Sequence, residues 1–229
     1  MKGKIIVIEG TDCSGKETQT KKIVKRLEQE GKKVFCMSFP QYDSPTGRIV
    51  GGPYLGKEYI CKGWFKETAP MVDPLVSICY YAADRRYHRD TILQHLEKGE
   101  IVFLDRYTTS NMAHQGSKYK DNEDKLKIFN KIMALEFDIL ELPKPDAVIF
   151  LYMPPESAQE LRASRSEAET LDENESNLEH LKNAEETYLY MSELYGYEKI
   201  NCVKENSIRS IDDIHEEIYE KICKLIETK

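Results

Sequence analysis

Two kinds of hydrophobic run alternate along the chain. Unbroken apolar stretches occur at Ile5 to Ile8, Ile101 to Leu104 and Ala147 to Leu151, with Val34 to Phe39, broken at Ser38, and Glu198 to Val203 as further strand-like runs. Runs this short and uninterrupted suit strands buried on both faces of a parallel sheet. Between them, apolar residues recur three and four positions apart, the spacing of one helix face. Thr18 to Glu30 carries Ile23, Val24 and Leu27 and stops at Gly31, and Pro74 to Lys98 carries Leu75, Ile78, Tyr81, Ala82, Ile92, Leu93 and Leu96. Glu123 to Leu142, stopped by Pro143 and Pro145, and Ile211 to Ile226 complete the clear helices. Ser157 to Tyr195 reads as charged helix interrupted near Glu169 to Asn177, and Gln41 to Pro74 as loop with short helix, long for a connection. Five strands alternating with helices predict an α/β fold, a mostly parallel open sheet with helices on both faces.

Length and charge narrow the function. The 229 residues fit one domain, 1–229, with a lid segment inside it. Lys+Arg 33 against Asp+Glu 40 leaves a net charge of −7, which argues against a nucleic-acid backbone as main partner. Small phosphorylated ligands stay open, because a local ring of arginines binds them on an acidic protein. No apolar run approaches the ~20 residues a membrane helix needs, and the N-terminus lacks a secretory pattern, so no membrane partner is expected. Cys13, Cys36, Cys61, Cys79, Cys202 and Cys223 lie far apart without CxxC spacing, which suits reduced thiols and a cytoplasmic setting.

The first strand runs into Gly10-Thr-Asp-Cys-Ser-Gly15-Lys16, a GxxxxGK pattern placed between a buried strand and a helix N-terminus. Backbone N–H groups there favour phosphate oxygens and Lys16 reaches the β- and γ-phosphates, so Gly10, Cys13, Ser14, Gly15, Lys16, Glu17 and Thr18 are the expected ATP cradle. Glu17 stands where Ser or Thr normally offers Mg²⁺ a hydroxyl. Thr18 is one substitute, the Glu17 carboxylate another, and Asp105 a third candidate metal ligand; the alternative for Glu17 is a solvent-facing acid favoured by the helix dipole. Asp105-Arg106 ends the third strand, which puts both at the carboxyl edge of the sheet near this loop.

The longer string Asp105-Arg-Tyr-Thr-Thr-Ser-Asn-Met-Ala-His-Gln-Gly116 resembles the DRYxxSxxAYQG signature of thymidylate kinases. Glu9 to Thr18 resembles that family's phosphate loop, Phe39-Pro40 with Ser44-Pro-Thr-Gly47 its FPxR segment, and Tyr81-Ala-Ala-Asp-Arg85 its FAADR helix. Leu142-Pro-Lys-Pro-Asp146 through Pro154-Pro-Glu156 resembles its LPKPD and VPPE run, so the likeness spans residues 4 to about 195. It implies a P-loop kinase fold with a helical lid, Mg²⁺ and ATP as cofactors, and transfer of the γ-phosphoryl group to dTMP. It implies that Asp12 meets the sugar 3′-hydroxyl, Arg106 the acceptor phosphate, Arg85 and Asn111 the thymine edge, and Tyr81 the base face. It also implies a homodimer through helices flanking the acceptor site. Arg162 and Arg165, ahead of Asp172 and Glu175, resemble the lid, about 161–177, whose arginines close over ATP.

Three positions depart from the family pattern. Tyr42 replaces the FPxR arginine, leaving Arg48 or another residue to supply that charge. His114 replaces the AYQG aromatic beside Gln115, which weakens the expected crowding against a ribose 2′-hydroxyl. Gly51 to Asp73 exceeds the family length, and its Trp64 and Phe65 are expected to line the acceptor pocket or pack on a partner chain. Two rival functions remain at this stage. One is a deoxynucleoside kinase acting on a neutral 5′-hydroxyl; the other is a non-catalytic nucleotide-binding switch or degenerate kinase, for which the lack of an NKxD motif after the third strand disfavours a GTPase switch.

Overall fold

The computed structural model describes residues 3–11, 13–164, 177–205 and 207–227. In chain order, β1 (Lys4–Gly10) leads into α1 (Lys16–Gln29) and β2 (Val34–Ser38). The short α2 (Pro45–Ile49) continues as a π-helical turn, Val50–Tyr54, and a 3₁₀ turn, Ala69–Met71, precedes α3 (Pro74–Glu97). Then come β3 (Ile101–Asp105), α4 (Thr108–Gly116), α5 (Asn122–Met133) with a π-helical extension, Ala134–Ile139, and β4 (Ala147–Tyr152). α6 (Pro155–Ser164), α7 (Leu178–Tyr195), β5 (Glu198–Asn201), a two-stranded pair β6 (Val203–Lys204) and β7 (Ser207–Ile208), and α8 (Ile211–Glu227) complete the described chain. No helix among the described residues is long and apolar enough to cross a membrane.

Five strands form one sheet in the order β2-β3-β1-β4-β5, and every pairing in it is parallel. The central β1 is covered on both faces, which is why its apolar run is unbroken. Its side chains alternate between two cores. Ile6 and Ile8 join Phe103, Ile149 and Leu151 under α1 and α8, through Ile23, Leu27, Ile214, Ile218 and Ile222. Ile5 and Val7 join Val102, Leu104 and Val148 under Ile92 and Leu96 of α3. A third core puts Phe150 against Ile128, Phe129 and Ile132 of α5 and Tyr188 and Met191 of α7.

Three local outcomes differ from the sequence expectation. Periodicity gives no sign of α4, because Thr108, Thr109, Ser110 and Asn111 are buried through hydrogen bonds rather than apolar contact. The helix expected over Glu123 to Leu142 is an α-helix only to Met133; the wider π-helical turn beyond it directs Glu136 fully into the interior. The fifth strand ends at Asn201, and Val203 pairs instead with Ile208 in an antiparallel ladder.

Candidate active site

At the carboxyl ends of β1, β3 and β4, a cavity of about 380 Å³ opens. Its lining draws on the phosphate loop, the segment after β2, α3, α4 and α7, including Gly10, Tyr42, Tyr81, Arg85, Arg106 and Tyr188.

The loop side is built for anions. A Cβ on Gly10 would lie 2.4 Å from Ser14 Oγ and 2.8 Å from Leu151 O, so only glycine lets the loop pass β4 this closely. Gly15 takes φ +78° and Cys13 φ +54°, left-handed conformations that turn the chain before α1. No described side chain caps α1, which leaves its first N–H groups for an external acceptor. Thr11 Oγ1 donates to Met153 O (2.9 Å) and accepts from Met153 N (2.8 Å), pinning the loop to the end of β4. Among the described residues, the Lys16 ammonium donates only to Gly10 O (3.0 Å) and Thr11 O (3.3 Å). Burial, and then the nearby Arg106 charge, lower its pKa to about 8.

Arg106 sits at φ +66°, a strained conformation for a residue with a side chain, held by its N–H on Ile8 O at 3.1 Å. Its guanidinium lines the cavity and makes no hydrogen bond or ion pair with any described residue. Burial opposes that charge, but Tyr188, Glu9 and Asp105 outweigh it and raise the pKa further. Asp105 is half-buried, with Oδ1 itself buried and unpartnered among the described residues. Burial pushes its carboxyl up, against the pull of Lys16 and Arg106.

Beneath these cations lies Glu9, fully buried at the end of β1. Its carboxylate accepts from Thr109 Oγ1 (2.5 Å), Ser110 Oγ (2.8 and 2.9 Å) and Tyr188 O–H (2.9 Å), and more weakly from Tyr107 N–H (3.3 Å). With this many donors the carboxylate ties β1, α4 and α7 together.

The far side of the cavity is organised by Glu136. Arg85 Nε and Nη2 each donate to it at 2.6 Å in a bidentate pair, and Thr108 Oγ1 donates at 2.7 Å. Asn111 Nδ2 donates at 2.9 Å to the same carboxylate, which fixes the amide with Oδ1 turned away. That Oδ1 is buried and unpartnered among the described residues, and Asn111 lines the cavity. Tyr81 lines it too, its ring set edge-on to buried Tyr54 at 5.6 Å.

Of the residues expected from the sequence, Gly10, Lys16, Tyr42, Tyr81, Arg85, Asp105, Arg106, Asn111 and His114 gather in or against this cavity. Ser14 is buried in the loop with Oγ unpartnered among the described residues, and Cys13 is half-buried. Glu17 and Thr18 face solvent, with Glu17 paired to Lys21. Arg48 is exposed on α2 and does not line the cavity; Gln115 is buried behind it. Trp64 is exposed, and Phe65 packs on Tyr54 and Tyr80 rather than into the cavity. Asp12, Arg165, Asp172 and Glu175 lie outside the described residues, as does the Arg162 side chain on α6.

Sequence reasoning passed over Glu9, Glu136, Ser110, Tyr188 and His180. Two left a trace: Glu9 is an acid closing an otherwise apolar strand, and Glu136 extends the stripe Ile128, Ile132 where a hydrophobe is expected.

The model of the family described as thymidylate kinase matches residues 8–218. A thymidylate kinase of Plasmodium falciparum is 30% identical over 224 residues, covering 98% of this chain and 91% of that one. One of Caldicellulosiruptor saccharolyticus is 28% identical over 230 residues, covering both chains in full. The solved structure of thymidylate kinase from Candida albicans superposes with a TM-score of 0.72 at 20% identity, over 99% of this chain and 94% of that one, a likeness of fold. With the family model spanning both the phosphate loop and the Glu9 and Glu136 clusters, the chain belongs to the thymidylate kinase family.

Proposed function

We propose that this chain transfers the γ-phosphoryl group of ATP to dTMP, giving dTDP and ADP. The observation that carries the choice of acceptor is the Glu136 cluster. It fixes the Asn111 amide in the cavity wall with Oδ1 unpartnered among the described residues, beside Arg85, whose Nη1 likewise has no partner among them. An acceptor next to a donor matches the N3–H and carbonyl edge shared by thymine and uracil. Cytosine presents a lone pair at N3, which would face Asn111 Oδ1 acceptor to acceptor. Tyr81 supplies an aromatic face for the ring.

Arg106 binds the acceptor's phosphate, and an unpaired buried cation is costly unless an anion meets it. A neutral 5′-hydroxyl would leave it unmet, which disfavours a deoxynucleoside kinase. Lys16 and the open N–H groups of α1 hold the phosphates of ATP, and the attacking phosphate oxygen is already anionic, so no general base is needed. Catalysis by this chain is therefore alignment of two phosphates and neutralisation of their charge. Mg²⁺ bound with ATP would neutralise further phosphate charge. The unpartnered Asp105 carboxylate oxygen fits a hard cation, whereas solvent-facing Glu17 does not. Asp12 toward the sugar, and Arg162 and Arg165 toward the transferred group, belong to the same proposal.

Self-association is proposed through the outer face of α3, where Leu75, Val76 and Cys79 are exposed near Met71. A cytoplasmic setting is proposed on the six unbridged cysteines. The deciding experiment is a screen of nucleoside monophosphates for ATP-dependent diphosphate formation. Thymine and uracil acceptors are expected to turn over and cytosine acceptors to fail; equal use of cytosine acceptors would overturn the assignment of Asn111.

A further inference from the structure

The long segment Gly51 to Asp73 builds a small core of its own. Val50, Tyr54, Leu55, Ala69 and Val72 are buried together, with Phe65, Tyr80 and Tyr81 packed against them. Tyr54 is the hub: its ring stands edge-on to Tyr81 at 5.6 Å and to Phe65 at 6.0 Å, and stacks on Tyr80 at 5.7 Å. Because Tyr81 also lines the cavity, this core backs one of the cavity's walls.

A lysine ties the core to the opposite wall. Lys118 follows the end of α4, and its ammonium donates to Val72 O (2.6 Å) and, more weakly, to Ala69 O (3.4 Å) and Ser77 Oγ (3.5 Å). The Ser77 hydrogen is used on Asp73 O at 3.1 Å, so Ser77 Oγ accepts from Lys118 and, at 3.0 Å, from the Tyr54 hydroxyl. Tyr54 shares that hydrogen with Ala69 O at 3.2 Å, so the contacts of Lys118 and Tyr54 meet on the same two residues. Burial works against the cation and lowers its pKa to about 8, with Asp73 opposing, so Lys118 is held in place against its own desolvation.

The cavity lies between α3, which lends it Tyr81 and Arg85, and α4, which lends Ser110, Asn111 and His114. Two ties join these helices. At the inner one, Glu136 binds both Arg85 and Asn111. The outer one is Ser77 with Lys118, one turn before Tyr81 on α3 and one turn beyond His114 on α4. We propose that Lys118 and Tyr54 are positioning residues that fix the separation of the two walls, so that Tyr81 is already in place when the acceptor's ring enters. The inference rests on the proposed acceptor site. Without the outer tie, Tyr81 gains freedom that must be lost again on binding, and the loss falls on acceptor affinity rather than on the chemical step.

Lys118→Met keeps the length of the side chain and removes its donors, and Tyr54→Phe keeps the ring and removes the hydroxyl. Amide hydrogen exchange, followed by NMR of the full chain, reads the tie itself. In Lys118→Met the amides of Trp64 and Met71, bonded to Pro53 O and Thr68 O, are expected to exchange about three- to tenfold faster, with those of β1 and β3 unchanged. Wild-type rates at both positions would overturn the proposal, and so would an equal acceleration everywhere, which marks only a loss of global stability. Steady-state kinetics then read the role. Lys118→Met is expected to raise the dTMP KM about three- to tenfold, with the ATP KM unchanged and kcat within about twofold. Tyr54→Phe should raise the dTMP KM about two- to threefold, and Lys118→Arg, which keeps charge and donors, should recover most of the loss. Faster exchange with an unchanged dTMP KM, or a loss confined to kcat, would overturn the positioning role. Failure of every monophosphate in the wild type would instead refute the proposed acceptor class and with it the role in acceptor binding, while the exchange result still decides the tie.

Discussion

The two ends of the cavity treat charge in opposite ways. At the loop end, Arg106 has no ion-pair partner among the described residues and Lys16 meets only backbone carbonyls, so positive charge is held ready for a ligand. At the base end, Arg85 is more deeply buried and has its charge consumed by Glu136 in a bidentate pair. The lesson is that a buried arginine does not by itself mark an anion site. Its partner decides whether it binds charge or presents a fixed hydrogen-bond pattern.

The comparison is most severely broken at Glu136. Glu136→Gln strands the Arg85 charge in the interior and is expected to cost about 3–5 kcal/mol of stability, read by denaturant unfolding. Replacing Arg85 and Glu136 together by apolar residues should recover most of that loss while erasing selection among bases. If the single variant is as stable as wild type, the pair is not the closed unit described. At the loop end, Lys16→Ala removes a buried charge that opposes folding, so near neutral pH the variant should be at least as stable as wild type, while kcat falls by about a hundred- to a thousandfold, the scale for losing one preorganised donor to transition-state charge. Retained turnover in that variant would remove Lys16 from the reaction.

Asn111→Ala sharpens the contrast on the neutral side. It should narrow the preference for dTMP over dCMP by roughly tenfold, on the scale of one lost hydrogen bond, with the ATP KM unchanged. A pH series separates the two ends again. With its folded-state pKa near 8 and the ordinary value at 10.5, Lys16 binds its proton less tightly in the fold than in the unfolded chain. Its burial therefore destabilises fully below about pH 8, and stability is regained as pH rises from there to the ordinary lysine range. Melting curves of wild type minus Lys16→Met should show this rise, and a flat difference would contradict the burial of that charge. The smallest effect is expected at Glu17→Gln: the Lys21 pair is solvent-exposed, so neither the melting temperature nor the Mg²⁺ dependence of kcat should move measurably.

Legibility in the sequence followed the same division. Strands β1, β3 and β4 could be read because burial on both faces requires unbroken apolar runs, and Lys16 because the glycine spacing around it serves one purpose. The helix α4 could not, since its burial is bought with hydroxyls and an amide bound to Glu9 and Glu136. Nor could the contact of His114 with His180, which depends on where α7 docks, 66 residues later in the chain. Tyr42 is a further case: the lost family arginine was visible, but the exposure of its proposed replacement Arg48 was not, because position on a short surface helix has no signature in spacing.

The strand order carries a consequence for how the chain is made. β1 emerges first yet occupies the centre of the sheet, and its nearest partner, β3, begins at Ile101. At synthesis rates of about 5–20 residues per second, Ile5 to Ile8 waits about 5–20 s for a neighbour. β2, made in the interval, pairs with β3 and offers β1 nothing. The central strand of the sheet is thus also the one left longest without a mate on the ribosome, and truncated chains ending before β3 should be captured by holding chaperones far more readily than chains ending after β4.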